Sequence, residues 1–292
     1  MNWNSRKISS IVSNALLEDQ ATHDSTTHAT IDPEQRGAAS ILVNEDCILA
    51  GLGAVQRVYE VFIDLSSDWR GLPEISIPKH VFDGVRLHKG EIIASIRHNA
   101  RVLLSCERTI LNFLQHLSGI ATETAKYVAA VAGTGAVILD TRKTVPGLRH
   151  LQKYAVRCGG GANHRIDLSD EILVKNNHID LAGGMRAAVE RARANRKGEQ
   201  AVEVEVRDLQ ELEDALKYGA DSVLLDNMNV AETRKAVGRI RNEGRPMNIE
   251  SSGGITLENV REYAEAGVNF ISVGALTHSV RAVDLSMRVH SV

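Results

Sequence analysis

The chain has 292 residues and a mass of 31.8 kDa, which is enough for one large domain or two domains of ordinary size. Hydrophobic residues make up 43% and charged residues 24%, a globular composition that excludes a disordered chain. The net charge of −3 and the sequence pI of about 6.4 exclude a global electrostatic footprint for nucleic acid, so any polyanion site must be local.

The N-terminal segment and the cysteines indicate the compartment. The first residues, MNWNSRKISSIVSNALLED, lack the long apolar region of a signal peptide, and no run approaches the roughly 20 apolar residues of a spanning helix. Cys47, Cys106 and Cys158 lie far apart, and an odd number of cysteines does not form a closed disulfide framework. The sequence therefore predicts a soluble, cytoplasmic protein without a membrane partner.

The first hundred residues predict the strands of a separate sheet. After a polar stretch at 21–30, short apolar runs follow at 41–51, 58–65 and 91–97. From Glu107 the pattern changes, because apolar residues recur at intervals of three and four. This spacing predicts one long amphipathic helix over 107–131.

After Gly135 the chain repeats a unit made of a short aliphatic run, a polar loop and a helical segment that ends near glycine. The strand candidates are AVILD (136–140), EILVK (171–175), AVEVEV (201–206), SVLLD (222–226), MNIESS (247–252) and NFISVGA (269–275). The helical patterns are clearest at 208–220, 230–240 and 256–267. Strands that alternate with helices indicate a parallel sheet, and short, evenly spaced units favour a β/α barrel over an open doubly wound sheet, which stays an alternative.

The predicted strands end in polar and charged residues, and in a β/α barrel such residues meet at one mouth. They are Asp140, Thr141, Arg142 and Lys143 after the first strand, Lys175 after the second, and Glu205 and Asp226 at the next two. Any one of them could instead cap a helix or face solvent. Because four consecutive strands have charged ends, helix capping or exposure to solvent is a weaker explanation for these residues taken together.

Positive charge is concentrated in one segment of this acidic chain. Residues 141–175 contain seven Lys or Arg residues against three Asp or Glu residues, and Arg165 follows the glycine-rich sequence CGGGANH at 158–164. Glycine lets the backbone approach a ligand closely, and arginine makes bidentate contacts with carboxylates and phosphates. A solvated basic face is the alternative, but the arrangement favours a small substrate with several negative charges.

Glycine-rich loops follow the last two predicted strands, at SSGGI (251–255) and VGAL (273–276). Many barrels bind phosphate at this position through backbone N–H groups, although tight turns alone would also need glycine. Carboxylates beside a bound phosphate, here Glu205 and Asp226, are suited to ribose hydroxyls or Mg²⁺ and to stabilising a cationic transition state.

The histidines and cysteines do not indicate a zinc or thiolate site. His164 and His178 lie in the basic segment, but no HxH or HExxH spacing is present. His164 is a candidate for orienting a ligand, and His178 is equally consistent with a structural hydrogen bond. Nothing near Cys158 marks an activated thiolate, so we interpret it as structural.

Several motifs together resemble the quinolinate phosphoribosyltransferase family, the carboxylating nicotinate-nucleotide pyrophosphorylases. They are ERTILNFLQHLSGIAT (107–122), DTRKTVPGLRHLQKYAVRCGGGANHR (140–165), LVKNNH (173–178), VEVEV (202–206), LLDNM (224–228) and SSGG (251–254). The resemblance covers nearly the whole chain in order and is weaker over the first hundred residues.

The resemblance implies an α/β fold with an incomplete, seven-stranded TIM-like α/β barrel joined to an N-terminal α/β sandwich. The sandwich would comprise residues 1–111, with 278–292 returning to it, and the barrel would comprise 112–277. It also implies a homodimer with shared active sites, or a higher oligomer built on it, in which Arg108 of one subunit enters the site of its neighbour.

The resemblance also implies an enzyme of NAD biosynthesis. It would transfer phosphoribosyl from phosphoribosyl pyrophosphate to quinolinate with decarboxylation, giving nicotinate mononucleotide, diphosphate and CO₂. Mg²⁺ would accompany the diphosphate group, with no tightly bound metal.

The site residues of the family match positions of this chain. Lys143, Glu205 and Asp226 would be catalytic. The substrate-binding set would be Arg108, Thr141, Arg142, Lys143, His164, Arg165, Lys175, Glu205 and Asp226. The phosphate-binding loops would be Ser252, Gly253, Gly254, Val273, Gly274 and Ala275.

Two positions depart from the pattern of the family. Asn176 stands where many relatives have an acidic residue, which bears on the handling of metal or diphosphate. Ser251 replaces a common alanine, which is a mild change.

Three other functions stay open at the level of sequence. A Schiff-base aldolase would use Lys143 or Lys175 at a strand end as its imine-forming lysine. A non-catalytic sensor of pyridine carboxylates or nucleotides would keep the pocket without releasing diphosphate. A paralogue of changed specificity would act on another anionic ring, and Asn176 is the position that supports it.

Overall fold

The structure is a computed structural model that describes residues 1–66, 68–244 and 246–292. Up to the long helix, its elements are α1 (Arg6–Glu18), a 3₁₀ turn (Ala21–His23), α2 (Ser25–Thr30), β1 (Arg36–Val43), β2 (Cys47–Ile48), α3 (Gly53–Leu65), β3 (Glu74–Ser76), β4 (Arg86–Leu87), β5 (Ile92–Asn99) and α4 (Ala100–Ala130).

The remaining elements alternate between strand and helix, except for two successive helices after the second strand. They are β6 (Val137–Leu139), α5 (Arg149–Cys158), β7 (Ile172–Val174), α6 (Asn176–Ala182), α7 (Met185–Asn195), β8 (Val202–Val206), α8 (Leu209–Lys217), β9 (Ser222–Asp226), α9 (Val230–Arg241), β10 (Asn248–Ser252), α10 (Val260–Glu265), β11 (Phe270–Ser272), α11 (Ala275–His278) and β12 (Leu285–Ser291).

The chain divides into two compact units. The first comprises Met1–Glu123, Val145–Gly160 and Val280–Val292, and the second comprises Thr124–Thr144 and Gly161–Ser279. The sequence predicts the boundaries at 111 and 277, and the division here falls after Glu123 and after Ser279.

The first unit contains a four-stranded antiparallel sheet in the order β12-β1-β5-β3, with β2 and β4 forming a separate short pair. Strand β1 buries alternate residues, Ala39, Ile41 and Val43, as expected for a sheet with one face on a core. The C-terminal strand β12 pairs with β1, so the end of the chain completes the sheet of the N-terminal segment.

Two predictions for the N-terminal segment need correction. The run at 58–65 is not a strand, because it lies in α3, where Ala54, Val58 and Phe62 repeat at helical spacing on a buried face. The long helix α4 begins at Ala100 rather than at 107, since the side-chain oxygen of Asn99 accepts the backbone N–H of Arg101 at 2.9 Å and caps the first turn.

The second unit is an incomplete α/β barrel. Its six-stranded sheet is parallel throughout, in the order β6-β11-β10-β9-β8-β7, and the six strand candidates from the sequence are all confirmed. The helical patterns at 208–220, 230–240 and 256–267 are confirmed as α8, α9 and α10. In place of the expected seventh strand, the described residues have a single parallel bridge, which joins Leu139 of β6 to Ala162.

Strand β8 shows how this sheet separates its two faces. Val202, Val204 and Val206 are fully buried, whereas Glu203 and Glu205 alternate with them on the other face.

Among the described residues, none of the helices combines the length and the apolar character that a membrane span requires.

Candidate active site

The segment after β6 carries the predicted residues Thr141, Arg142 and Lys143, and two hydroxyl groups fix the backbone of Lys143. The N–H of Lys143 donates to the Thr141 hydroxyl oxygen at 3.0 Å, and the Thr277 hydroxyl donates to the Lys143 carbonyl at 2.8 Å. Thr277 is buried, and no motif in the sequence marked it as a site residue. These bonds hold an exposed lysine at the carboxyl end of the sheet.

The side chain of Lys143 lies across Gly274, one of the predicted phosphate-binding residues. A Cβ atom at position 274 would lie 3.3 Å from Lys143 Cδ and 3.1 Å from His278 Nε2. A side chain at position 274 would therefore press on Lys143 and His278, which would have to shift by a few tenths of an ångström.

Lys175 and Glu205 form an ion pair between Nζ and Oε2 at the ends of adjacent strands. The parallel register pairs Val174 with Val204, which places the two following residues side by side. Glu205 is buried, and about two fifths of the Lys175 side chain stays exposed. This pairing engages the lysine Nζ with a buried carboxylate at the carboxyl end of the sheet. The Schiff-base alternative stays open for Lys143 and Lys175.

Asp226 ends β9 directly beside Ser252, its register partner at the end of β10. The next residue, Asn227, has φ +57°, a left-handed conformation that costs energy for a side chain other than glycine. Its N–H donates to the Ser252 carbonyl at 2.8 Å, and its amide nitrogen donates to Asp226 Oδ2 at 3.0 Å. Asn227 therefore links the Asp226 carboxylate to the glycine loop that follows Ser252.

That loop also depends on glycine. Gly253 has φ +92°, and a Cβ atom there would lie against the Asn227 side chain and 3.0 Å from the Asn227 backbone nitrogen. The second predicted phosphate loop, Val273 to Ala275, follows β11, the neighbour of β10 in the sheet. Both loops therefore open at the same edge as Asp226.

His164 faces the interior of the barrel. Its Nε2 lies 3.5 Å from Glu203 Oε2 and 3.4 Å from Glu250 Oε2, and its Nδ1 accepts the backbone N–H of Arg165 at 2.7 Å. Burial lowers the pKa of the imidazole, but the two carboxylates outweigh burial and raise it above its ordinary value. The expectation that His164 contacts a substrate carboxylate stays a prediction.

Arg165 is buried, and one of its guanidinium nitrogens donates to the Glu171 carbonyl at 3.3 Å. Burial and the nearby Arg142 lower the pKa of the Arg165 guanidinium, which still leaves it cationic at neutral pH. Two arginines therefore contribute to one local positive potential.

Glu250 is a buried carboxyl group that no sequence motif predicted. Burial, followed by the charge of Glu203, raises its pKa to about 7, and the Ser272 hydroxyl donates to its Oε1. Glu203 and Glu250 face the interior with His164, and the alternation of glutamate and valine in β8 was the available signal for Glu203. Across the described residues, this trio is the one group whose ligand atoms lie close enough, within 4.8 Å, to hold a metal ion.

The pKa of Glu250 predicts how Glu250→Gln changes stability with pH. A carboxyl group whose pKa is higher in the folded state takes up a proton on folding, so its contribution favours the fold at low pH and is lost as pH rises through about 7. Glutamine does not titrate. The free energy of unfolding of the variant, relative to that of the native chain, should rise by on the order of 3 kcal/mol from pH 4.5 to pH 8. Thermal unfolding at both pH values measures this difference.

A matched control is Glu213→Gln, which removes a carboxylate that pairs with Arg239 on the helical surface. Its stability relative to the native chain should not improve as pH rises. If Glu250→Gln differs from the native chain by the same free energy of unfolding at both pH values, the pKa of Glu250 is not elevated in the folded protein.

Other predicted residues are placed as follows. Arg108 is exposed on α4 in the first unit, so its entry into a neighbouring site stays a prediction. The N–H of Lys175 donates to His178 Nδ1 at 2.9 Å, which is a structural bond at the start of α6. Burial raises the pKa of Cys158 to about 11, so its thiol stays protonated.

Both halves of the chain match family models. The model described as "Quinolinate phosphoribosyl transferase, N-terminal domain" matches residues 24–118, and the model described as "Quinolinate phosphoribosyl transferase, C-terminal domain" matches residues 120–288. The carboxylating nicotinate-nucleotide pyrophosphorylase of Mycobacterium leprae is 43% identical over 265 residues, which cover 90% of each chain.

Solved structures give the same result for the fold. NadC from Streptococcus pyogenes superposes with a TM-score of 0.89 at 38% identity, covering 98% of this chain and 97% of its own. The nicotinate-nucleotide pyrophosphorylase of Ehrlichia chaffeensis superposes with a TM-score of 0.87 at 34% identity, covering 97% and 98%. On this similarity in sequence and fold, the chain belongs to the quinolinate phosphoribosyltransferase family.

Proposed function

We propose that this chain transfers phosphoribosyl from phosphoribosyl pyrophosphate to quinolinate and releases CO₂ and diphosphate, giving nicotinate mononucleotide for NAD biosynthesis. The observation that supports this most directly is the register of β9 with β10. It places the Asp226 carboxylate beside the Ser252–Gly254 loop, so one edge offers a carboxylate for the ribose next to backbone N–H groups for its phosphate.

The cationic residues bind the anionic substrates. Arg142 and Arg165 take the two carboxylates of quinolinate, since a guanidinium forms paired hydrogen bonds with a planar carboxylate. Lys143 lies over Gly274 and reaches the phosphate groups from the side of the β11 loop. Lys175 is held by Glu205, so its ammonium group is positioned at the boundary between the dicarboxylate and the ribose.

Glu205 and Asp226 act on the ribose. As the bond between C1 of ribose and the diphosphate breaks, C1 becomes positively charged, and the two carboxylates stabilise that charge. The pyridine nitrogen of quinolinate then attacks C1. The alkylated, cationic nitrogen stabilises the carbanion left on the adjacent ring carbon when the carboxylate departs as CO₂. A proton then binds that carbon in place of CO₂, so no protein nucleophile is required.

The residues present fit Mg²⁺, which binds through one or two carboxylates together with substrate phosphates and retained water. Glu205 is engaged by Lys175, whereas Asp226 meets the phosphate loop, so Asp226 is the carboxylate that would hold the ion. When bound with the diphosphate, Mg²⁺ supplies neutralisation of the leaving group.

The quaternary structure and compartment belong to the same proposal. The chain forms a homodimer in the cytoplasm, in which the exposed Arg108 of one subunit adds a cation to the site of the other. Removing Arg108 in one subunit and Lys143 in the other should leave mixed dimers with one intact site, which subunit-mixing kinetics would detect as recovered activity.

The direct test supplies purified protein with phosphoribosyl pyrophosphate, Mg²⁺ and either quinolinate or nicotinate. We expect nicotinate mononucleotide and one equivalent of CO₂ from quinolinate, and no product from nicotinate, because nicotinate lacks the second carboxylate that the paired arginines bind. Product from nicotinate alone would indicate a paralogue of changed specificity. Ligand binding with no diphosphate release would indicate a sensor.

A further inference from the structure

The interior of the barrel has a polar floor beneath the proposed active site. Glu203 and Glu250 lie on the interior face of β8 and β10, nearer the amino ends of the strands than Glu205 and Asp226. Together with His164 they line a cavity of about 260 Å³. Buried carboxylates cost free energy unless they are paired, and none of the steps proposed above uses these two.

The hydrogen bonds of His164 define where its proton lies. In the neutral imidazole Nδ1 accepts the N–H of Arg165, so the ring proton is on Nε2, facing Glu203 and Glu250. A metal ion bound to Nε2 would require the hydrogen on Nδ1, opposite the N–H of Arg165. The observed bond therefore fits protons at this site and not a metal ion.

The same short segment is tied to the sheet from its other side. The N–H of His164 donates to Asp140 Oδ1 at 3.0 Å, and the amide of Asn163 donates to Asp140 Oδ2 at 2.5 Å. Asp140 is fully buried directly after β6. The backbone that carries Arg165 is thus held by Asp140 on one side and, through the imidazole, by the floor carboxylates on the other.

We propose that Glu203 and Glu250 are positioning residues for quinolinate binding, which act by orienting the His164 imidazole so that its Nδ1 fixes the backbone of Arg165. This inference rests on the proposed role of Arg165 as a ligand of the quinolinate carboxylates. The carboxylates of the floor do not touch the substrate, and their effect is transmitted through one imidazole ring.

The test is Glu203→Ala, with steady-state kinetics for each substrate separately. We expect the KM for quinolinate to rise about tenfold, with kcat and the KM for phosphoribosyl pyrophosphate changed by less than about twofold, because only dicarboxylate binding depends on Arg165. Glu203→Gln keeps an oxygen that can accept the Nε2 proton, so it should recover most of the native KM. Glu203→Met, which fills the same space without an acceptor, should behave as the alanine variant does.

Two further variants separate positioning from general destabilisation. Asp221→Ala removes another carboxylate at the amino end of the sheet, which binds Arg193 and the N–H of Val202, and it should lower the melting temperature without a selective change in the KM for quinolinate. In an Arg165→Ala background, Glu203→Ala should add no further increase in that KM, because the group it positions is absent.

Several outcomes would overturn the inference. They are an unchanged KM for quinolinate in the folded Met variant, equal changes for both substrates, failure of glutamine to restore binding, and additive effects in the Arg165→Ala background. A native enzyme without activity would overturn the proposed function instead. Stoichiometric zinc in the purified native protein that is lost in Glu203→Ala would show that the floor holds a metal.

Discussion

Lys143→Ala is expected to lower kcat/KM by roughly 10²- to 10³-fold while leaving the fold intact. Lys143 is exposed at the carboxyl edge of the sheet, and its stem lies across Gly274 in the loop after β11. Loss of one cation close to several phosphate oxygens removes about 3–4 kcal/mol of favourable interaction at an effective dielectric constant of ~20. The measurement is steady-state release of diphosphate, together with a thermal unfolding curve.

Lys217→Ala is a suitable control, because Lys217 is exposed on α8 over the ring of Tyr218, away from the carboxyl edge. We expect native kinetics from it. Lys143→Arg should keep part of the charge effect but crowd Gly274, so its activity should lie between those of the native chain and the alanine variant. Native kinetics in Lys143→Ala would exclude Lys143 from the site.

Gly253→Ala is expected to raise the KM for phosphoribosyl pyrophosphate at least about tenfold. A left-handed φ costs an alanine about 1–2 kcal/mol, and the new Cβ would push against Asn227, which contacts Asp226. The change thus moves a phosphate-binding loop and a ribose-facing carboxylate together. Isothermal titration with phosphoribosyl pyrophosphate would measure the loss without relying on turnover.

Gly183→Ala is a matched control for backbone strain. Gly183 also has a left-handed φ, +91°, but no atom lies within 4 Å of a Cβ built there. It should lose stability to a similar extent and bind phosphoribosyl pyrophosphate normally. Equal binding by the two variants would mean that the Gly253 loop does not hold the phosphate.

The barrel was predictable from sequence because each unit repeats the same local signals. Six aliphatic runs of strand length precede helical segments that end near glycine, and all six are strands of one parallel sheet. The strand predicted at 58–65 was wrong because so short a run fits both the alternation of a strand and the spacing of a helix. The helical repeat is evident only when the run is extended back to Ala54.

The contacts of individual site residues were less predictable, because they depend on register. Thr277 lies 134 positions after Lys143 in sequence, yet its hydroxyl meets the Lys143 carbonyl. The His164 side chain points into the barrel because Glu203 and Glu250 occupy positions in their strands that place their carboxylates near its Nε2. Sequence patterns show which residues lie at strand ends, but three-dimensional packing determines which of them meet.

Strand β8 has a further consequence for how this chain can change in evolution. Glu205 faces Lys175 near one end of the strand, while Glu203 faces His164 nearer the other, with buried valines between them. Because side chains alternate, a shift of the whole strand by one residue would turn the valines inward and both glutamates into the apolar layer beneath the helices. We therefore expect insertions and deletions to be confined to the loops on either side of β8, where they leave its register unchanged.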